Sequence, residues 1–334
     1  MASILHLLTR GLLITILSTA TASGQIENAM CLSSQPTQYS RVDFVVMLKA
    51  VWLDPFASDD IKLDLELASP SGARILLPAY FERGESEATS VWMARFTPRE
   101  VGVYKGRFVL VKRGSELSSA SVMFTVGPSS GRGFLQLASP WTLRFDNGEI
   151  FRGIGQNLGW EARALDDSRY FKDLHENSRY NYEYLLGTLS AHRGNFFRTW
   201  MCAWNLPLEW KTVRDTARYS NDSGHFNRSA IQRMDQLVDL AASTDTYFML
   251  ALDPHGSLLD AGWENNNYNA RNGGPAKSPA EFFTSSEARI QYKDRLRYLI
   301  ARWGFRGCCP NGYSQHRSID VAKVRLHPRA NARK

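Results

Sequence analysis

Five of the nine tryptophans fall in one stretch, at positions 160, 200, 204, 210 and 263. Asn157, Arg198, His255 and Tyr268 lie among them. Flat aromatic faces beside amide, guanidinium and imidazole donors suit a carbohydrate cleft, where rings stack on sugar C–H groups and donors take the hydroxyls. His255 has no second His or Cys at ligand spacing, so the pattern offers no metal site. No Gly-rich phosphate loop, Ser elbow or Cys–His motif occurs, and no cofactor is expected. Glu161, Glu209 and Glu264 are acids near the expected strand ends. A glycosidase needs two carboxylates, roughly 5–5.5 Å apart for retention. The spacing of these three fixes no such pair. Arg198 follows Phe196-Phe197, so it needs a partner or a polar cavity; Asp253 is expected as that partner or as a turn residue.

The elements that must hold these residues read as strand–helix units. Phe151 to Trp160 is strand-like and ends in Gln156-Asn157. Tyr182, Leu185, Leu186 and Leu189 have helical spacing over 181–192. Residues 195–200 form a second strand, about 229–243 an amphipathic helix, 247–252 a third strand and 288–303 a third helix. Apolar strands alternating with helices imply a parallel sheet. Such sheets bind ligands at the carboxyl ends of their strands. The candidate substrate-binding residues are therefore Asn157, Trp160, Arg198, Trp200, Trp204, His255, Trp263 and Tyr268. Long loops follow the strands at about 201–228 and 253–286, and loops of that length are usually functional.

Residues 26–127 have a different period. Val42, Phe44, Val46 and Leu48 alternate with other side chains, as do Ile61, Leu63, Leu65 and Leu67. Further strands are expected over 91–96, 103–111 and 121–126, divided by Pro and Gly. This pattern predicts a β-sandwich. Residues 128–133 read as a linker, and 134–305 as the α/β region.

The 334 residues carry a formal charge of +7. Residues 306–334 alone hold seven Lys/Arg and one acid. Without them and Arg10, acids and bases balance, which leaves no electrostatic footprint for nucleic acid. Residues 1–22 have the charge, apolar run and small Ala20-Thr21-Ala22 of a signal peptide; an uncleaved anchor or an amphipathic helix is the other reading. Cleavage would leave no membrane span and a secreted, periplasmic or cell-surface chain in an oxidising space. Cys31 and Cys202 are not expected to pair, and Cys202 reads as a buried small hydrophobe.

Residues 133–305 resemble the N-terminal part of secreted bacterial (β/α)8-barrel glycoside hydrolases. The matching runs are Asn195-Phe-Phe-Arg-Thr-Trp-Met201, Leu206-Pro-Leu-Glu-Trp210, Asp253-Pro-His-Gly256, Asn272-Gly-Gly-Pro275 and Leu296 to Gly304. Residues 26–127 resemble the immunoglobulin-like domain of unknown function found before such barrels, through Trp92 to Pro98 and Gly102-Val-Tyr104. The resemblance implies a multidomain fold: an immunoglobulin-like β-sandwich followed by an incomplete TIM-type (β/α) barrel. It sets Arg198 and His255 beside the cleaved sugar. The family's acid/base is the Glu of an Asn-Glu pair ending strand four, and its nucleophile a Glu ending strand seven. Neither follows here: the chain reads Phe305 to Tyr313 and continues to Lys334 without an Asn-Glu. The basic tail 306–334 is expected to be out-of-frame or fragment-end sequence; the other reading is a divergent ending with one strand over Ala322 to Leu326. The expected function is a glycoside hydrolase homologue without its catalytic glutamates. The alternative is a non-catalytic carbohydrate-binding or cell-surface protein. The partner is carbohydrate, and open sheet edges invite self-association.

Overall fold

The computed structural model describes residues 25–306. The expected signal peptide and nearly all of the basic tail lie outside the described residues.

Alternating apolar side chains build two facing four-stranded sheets. The strands are β1 (Ile26–Cys31), β2 (Val42–Lys49), β3 (Ile61–Ala68), β4 (Arg74–Pro78), β5 (Tyr80–Arg83), β6 (Thr89–Phe96), β7 (Gly102–Lys112) and β8 (Ser115–Val126). One sheet has the order β1-β2-β6-β5 and the other β4-β3-β7-β8. All pairings within them are antiparallel. The inward faces of β2 and β3 supply Phe44, Val46, Leu63 and Leu65, which bury together with Trp92, Phe108 and Phe124. Period-two patterning thus became two buried faces of one core.

A small antiparallel sheet comes next: β9 (Leu135–Ser139), β10 (Thr142–Phe145) and β11 (Ile150–Phe151), in the order β11-β10-β9. It corrects the expected first strand. Phe151 belongs to this meander, because its ring closes on Phe145 and Tyr247 at 5.7 and 5.3 Å. Only β12 (Gly155–Asn157) joins the parallel sheet. Gly155 permits that pairing: a Cβ there would lie 1.7 Å from the Phe196 carbonyl oxygen.

Parallel strands β12, β13 (Phe196–Trp200) and β14 (Tyr247–Ala251) follow in that order, so β12 and β14 are the outer strands among the described residues. Helices α1 (Lys172–His175), α2 (Tyr182–Ala191), α3 (Arg228–Ser243), α4 (Asp260–Trp263), α5 (Pro279–Thr284) and α6 (Ser286–Trp303) complete the chain. Asn181, Asn227 and Ser285 cap α2, α3 and α6 by accepting the backbone N–H three residues on. Those caps satisfy helix-end donors that would otherwise be orphaned. The long loop 253–286 is less irregular than expected, since α4, α5 and two short 3-10 turns lie within it.

Helix α6 packs against the sandwich as well as the parallel sheet. Tyr298 and Trp303 share a buried cluster with Tyr80 of β5 and Phe226. Arg302 bridges the two halves: one Nη bonds Glu82 at 2.6 Å, the other Asp235 at 2.7 Å. Its guanidinium also lies over the Tyr80 ring, 4.8 Å from the centroid. Removing one partner of such a network leaves half-buried charges uncompensated. Arg302→Ala is expected to lower stability by about 2–3 kcal/mol, between the values for exposed and fully buried pairs. Arg302→Lys should recover only part of this, because an ammonium cannot hold both carboxylates in a fork. Urea unfolding of the three proteins checks it; equal midpoints would show that the bridge contributes nothing.

Candidate functional site

Register aligns the strand ends. Asn157 lies opposite Arg198, and Trp200 opposite Ala251. Trp160 follows β12 closely, and its ring centroid is 5.2 Å from that of Trp200 and 5.8 Å from that of Trp204. The turn carrying Trp204 is pinned from beneath. Asn205 donates to the Trp200 carbonyl at 2.6 Å, and the Tyr182 hydroxyl meets Thr199 Oγ1 at 2.6 Å. All three polar side chains are buried and bonded to each other, so the turn has one arrangement.

Guanidinium groups border these rings. Arg163 lies over Trp204 at 4.7 Å and Trp160 at 5.7 Å, within cation–π range. Asp166 and Asp167 hold Arg163 at 2.7 and 2.9 Å. Burial opposes ionisation of Asp166, but hydrogen bonds from Ser168, Arg163 and His175 outweigh it and keep its carboxyl well below the usual range. Arg198 lies 5.4 Å from the Trp200 centroid. Its expected partner is engaged elsewhere: Asp253 accepts from Arg295 at 3.0 Å and from the Tyr292 hydroxyl at 2.8 Å. Arg295 is the stronger competitor because it is fully buried and must be paired.

The other expected residues do not join this group. Asn157 is exposed at its strand end, and His255 is exposed at the start of a 3-10 turn. Trp263 and Tyr268 are buried with Ala276 and Ala288 in a separate cluster beneath the loop. Gly274 lets the chain double back there, since a Cβ would sit 2.3 Å from the Tyr268 carbonyl carbon. Cys202 is buried as expected, and burial pushes its thiol up to about 12, which leaves it inert as a nucleophile.

A cavity of about 920 Å³ lies beside these elements, walled by Leu53–Phe56 of the sandwich and by the loops after β13 and β14. That volume is typical of a small-molecule site. None of the eight expected residues lines it. Glu209 does. Its carboxylate lies 3.3 Å from the Arg295 Nε and accepts from Asn267, Gln291 and the Tyr268 hydroxyl at 3.1, 3.3 and 3.4 Å. Burial nevertheless raises its pKa, with Arg295 and Gln291 opposing only in part. The sequence signal for this acid was its position between Leu208 and Trp210, an apolar setting for a carboxylate. Its partner Gln291 is 82 residues away. On the opposite wall His225 Nδ1 lies 2.7 Å from Asp54.

A candidate glycoside hydrolase from Bacteroides vulgatus is similar over 82% of this chain and 48% of its own, with a TM-score of 0.50 and 17% identity. A family 39 glycoside hydrolase from the gut symbiont Bacteroides cellulosilyticus WH2 matches 76% of this chain and 37% of its own, with a TM-score of 0.24 and 14% identity. The exo-chitosanase CsxA of Amycolatopsis orientalis matches 82% and 26%, with a TM-score of 0.26 and 11% identity. The first likeness gives this chain a glycoside-hydrolase-like fold; the other two are too distant to add to it. The chain spans about half the length of the Bacteroides vulgatus structure. No protein-family model and no curated protein matches the sequence.

The His225–Asp54 contact generates a pH prediction. Burial lowers the His225 pKa, but the Asp54 carboxylate, with Glu209 and Asp294 beyond it, raises it above the ordinary 6.5. Burial also works against Asp54, yet His225 lowers its pKa, so it stays ionised across this range. A raised folded-state pKa gives stabilisation that is complete below the unfolded value and lost as pH rises through the folded one. The Tm advantage of the native chain over His225→Gln is therefore expected to be largest near about pH 6 and to shrink toward about pH 9. Calorimetry across that range checks it; a pH-independent difference would contradict the ion pair.

Proposed function

We propose that this chain is an exported carbohydrate-binding protein of glycoside hydrolase lineage, in which an immunoglobulin-like sandwich precedes part of a (β/α)8 barrel, and that it does not hydrolyse its ligand. The Trp160–Trp200–Trp204 cluster at the strand ends carries the reading. Parallel α/β sheets bind ligands at that edge, and half-buried indoles bordered by Arg163 and Arg198 offer stacking faces with adjacent donors.

The absence of turnover is supported by the state of the nearby acids. Glu161 is locked between Arg233 at 2.5 Å and Arg218 at 3.2 Å. Glu209 is committed to Arg295. Glu264 is exposed. Two of the three are thus spent on arginines, whereas hydrolysis requires two carboxylates available to flank one bond. Among the described residues β12 and β14 have no strand on their outer sides, which favours self-association through those edges.

Glycan-array binding followed by calorimetry on the purified chain tests the proposal. Oligosaccharide binding is expected, with Trp160→Ala or Trp200→Ala costing about 2 kcal/mol, as for a buried aromatic anchor. Reducing-sugar release should stay at the buffer level. Binding to no glycan would refute the reading. Turnover abolished by Glu161→Gln, Glu209→Gln or Glu264→Gln would refute the non-catalytic part alone. Light scattering should show species larger than a monomer; a strict monomer would remove the edge argument.

A further inference from the structure

The cavity beside the aromatic cluster has an uneven charge. Lys211, Arg214 and Arg271 all line it. Lys211 and Arg271 are exposed, and neither has a carboxylate partner among the described residues. Arg214 holds Asp167 at 3.0 Å through one nitrogen. The acids of the same cavity are already engaged. Asp54 is taken by His225 at 2.7 Å, and Glu209 is buried against Arg295 at 3.3 Å. The field in the cavity is therefore cationic, and a concave low-dielectric wall concentrates it.

The rest of the lining suits a polyol. Asn267, Asn272 and Gln291 line the cavity too; their side-chain N–H groups serve Glu209 and the Glu264 and Asn266 carbonyls, so their amide oxygens are the groups offered to accept from sugar hydroxyls. Trp210 lines the same wall, its ring fixed by a 2.9 Å hydrogen bond from Nε1 to the Asn265 carbonyl. A neutral sugar has no use for three surrounding cations. A free phosphate would not need an aromatic wall or a row of amides.

We propose that this cavity binds an anionic saccharide, a sugar ring bearing a carboxylate or a sulfate. Lys211, Arg214 and Arg271 take the anionic group, and the amide oxygens take the hydroxyls. The inference rests on the carbohydrate-binding reading above and names its ligand class. It also assigns the sandwich a part in recognition, since Asp54 and Phe56 form one wall.

Calorimetry on the full chain tests it with four probes: an oligogalacturonate, a sulfated galactose oligosaccharide, the neutral galactose oligosaccharide of the same length, and inorganic phosphate. At least one anionic sugar is expected to bind about tenfold or more tightly than the neutral one, an advantage that added salt reduces. The double variant Lys211→Ala/Arg271→Ala should lose most of that advantage while keeping its Tm, because both residues are exposed and neither makes an ion pair among the described residues. Which anionic sugar binds distinguishes carboxylate from sulfate. Equal binding of neutral and anionic sugars overturns this inference and leaves the carbohydrate reading standing. Anionic preference unchanged in the double variant, or phosphate binding as tightly as the sugars, also overturns it. Binding of none of the sugars here, together with an empty glycan array, overturns both.

Discussion

A single fully buried guanidinium organises the α/β half of this protein. Arg295 projects from α6 with no solvent exposure. It donates to Asp253 at 3.0 Å and to the Leu252 carbonyl at 2.6 Å, and it lies 3.3 Å from Glu209. An ion removed from water must be paired on several sides or the fold loses several kcal/mol. That requirement ties three segments together: helix α6, the end of β14 and the loop after β13. With α6 so fixed, Tyr298, Arg302 and Trp303 meet the sandwich, and the sandwich loop 53–56 becomes a wall of the cavity.

The same node explains why the two candidate binding regions differ in character. The tryptophan cluster stands on polar groups that satisfy each other, Tyr182, Thr199 and Asn205, so its indoles are held by position alone. The cavity instead contains ionisable groups whose charge depends on burial and neighbours. Burial raises the pKa of Glu209, and against the effect of burial the Asp54 carboxylate raises that of His225. One region offers surfaces for stacking, and the other offers charge. Arg163 and Arg214 connect them, since both lie over Trp204 while Arg214 also lines the cavity.

Much of the architecture was legible in the sequence because local patterning decides it. Period-two alternation over Val42 to Leu48 and Ile61 to Leu67 identified inward faces that are now buried. The stripe Ile231, Met234, Leu237, Val238 and Ala241 identified α3; the last four are buried and Ile231 is half-buried against the same cluster. The convergence of Trp160, Trp200 and Trp204 was also legible, since parallel strands in register bring their carboxyl ends together. The short extent of β12 was not. Whether Phe151 continues the strand or turns into the meander depends on Tyr247, a residue 96 positions later in a different strand.

The sequence by itself determined the two periodicities and the chemical types gathered after each parallel strand; the change between the periodicities, expected near residue 133, falls after the antiparallel meander that ends at Phe151. The periodicities and the types are set by neighbours within a few residues. Only the tertiary structure decided which polar groups face each other. Asp253 stood near Arg198 in expectation but answers to Arg295, 42 residues on. Asp54 and His225 are 171 residues apart, and their contact forms a wall no local pattern announces. Trp263 and Tyr268 have the composition of ligand residues and the burial of core ones. The physical reason is common to all of them: charge pairing and burial depend on distance through space and on exclusion of water, and neither is a function of spacing along the chain.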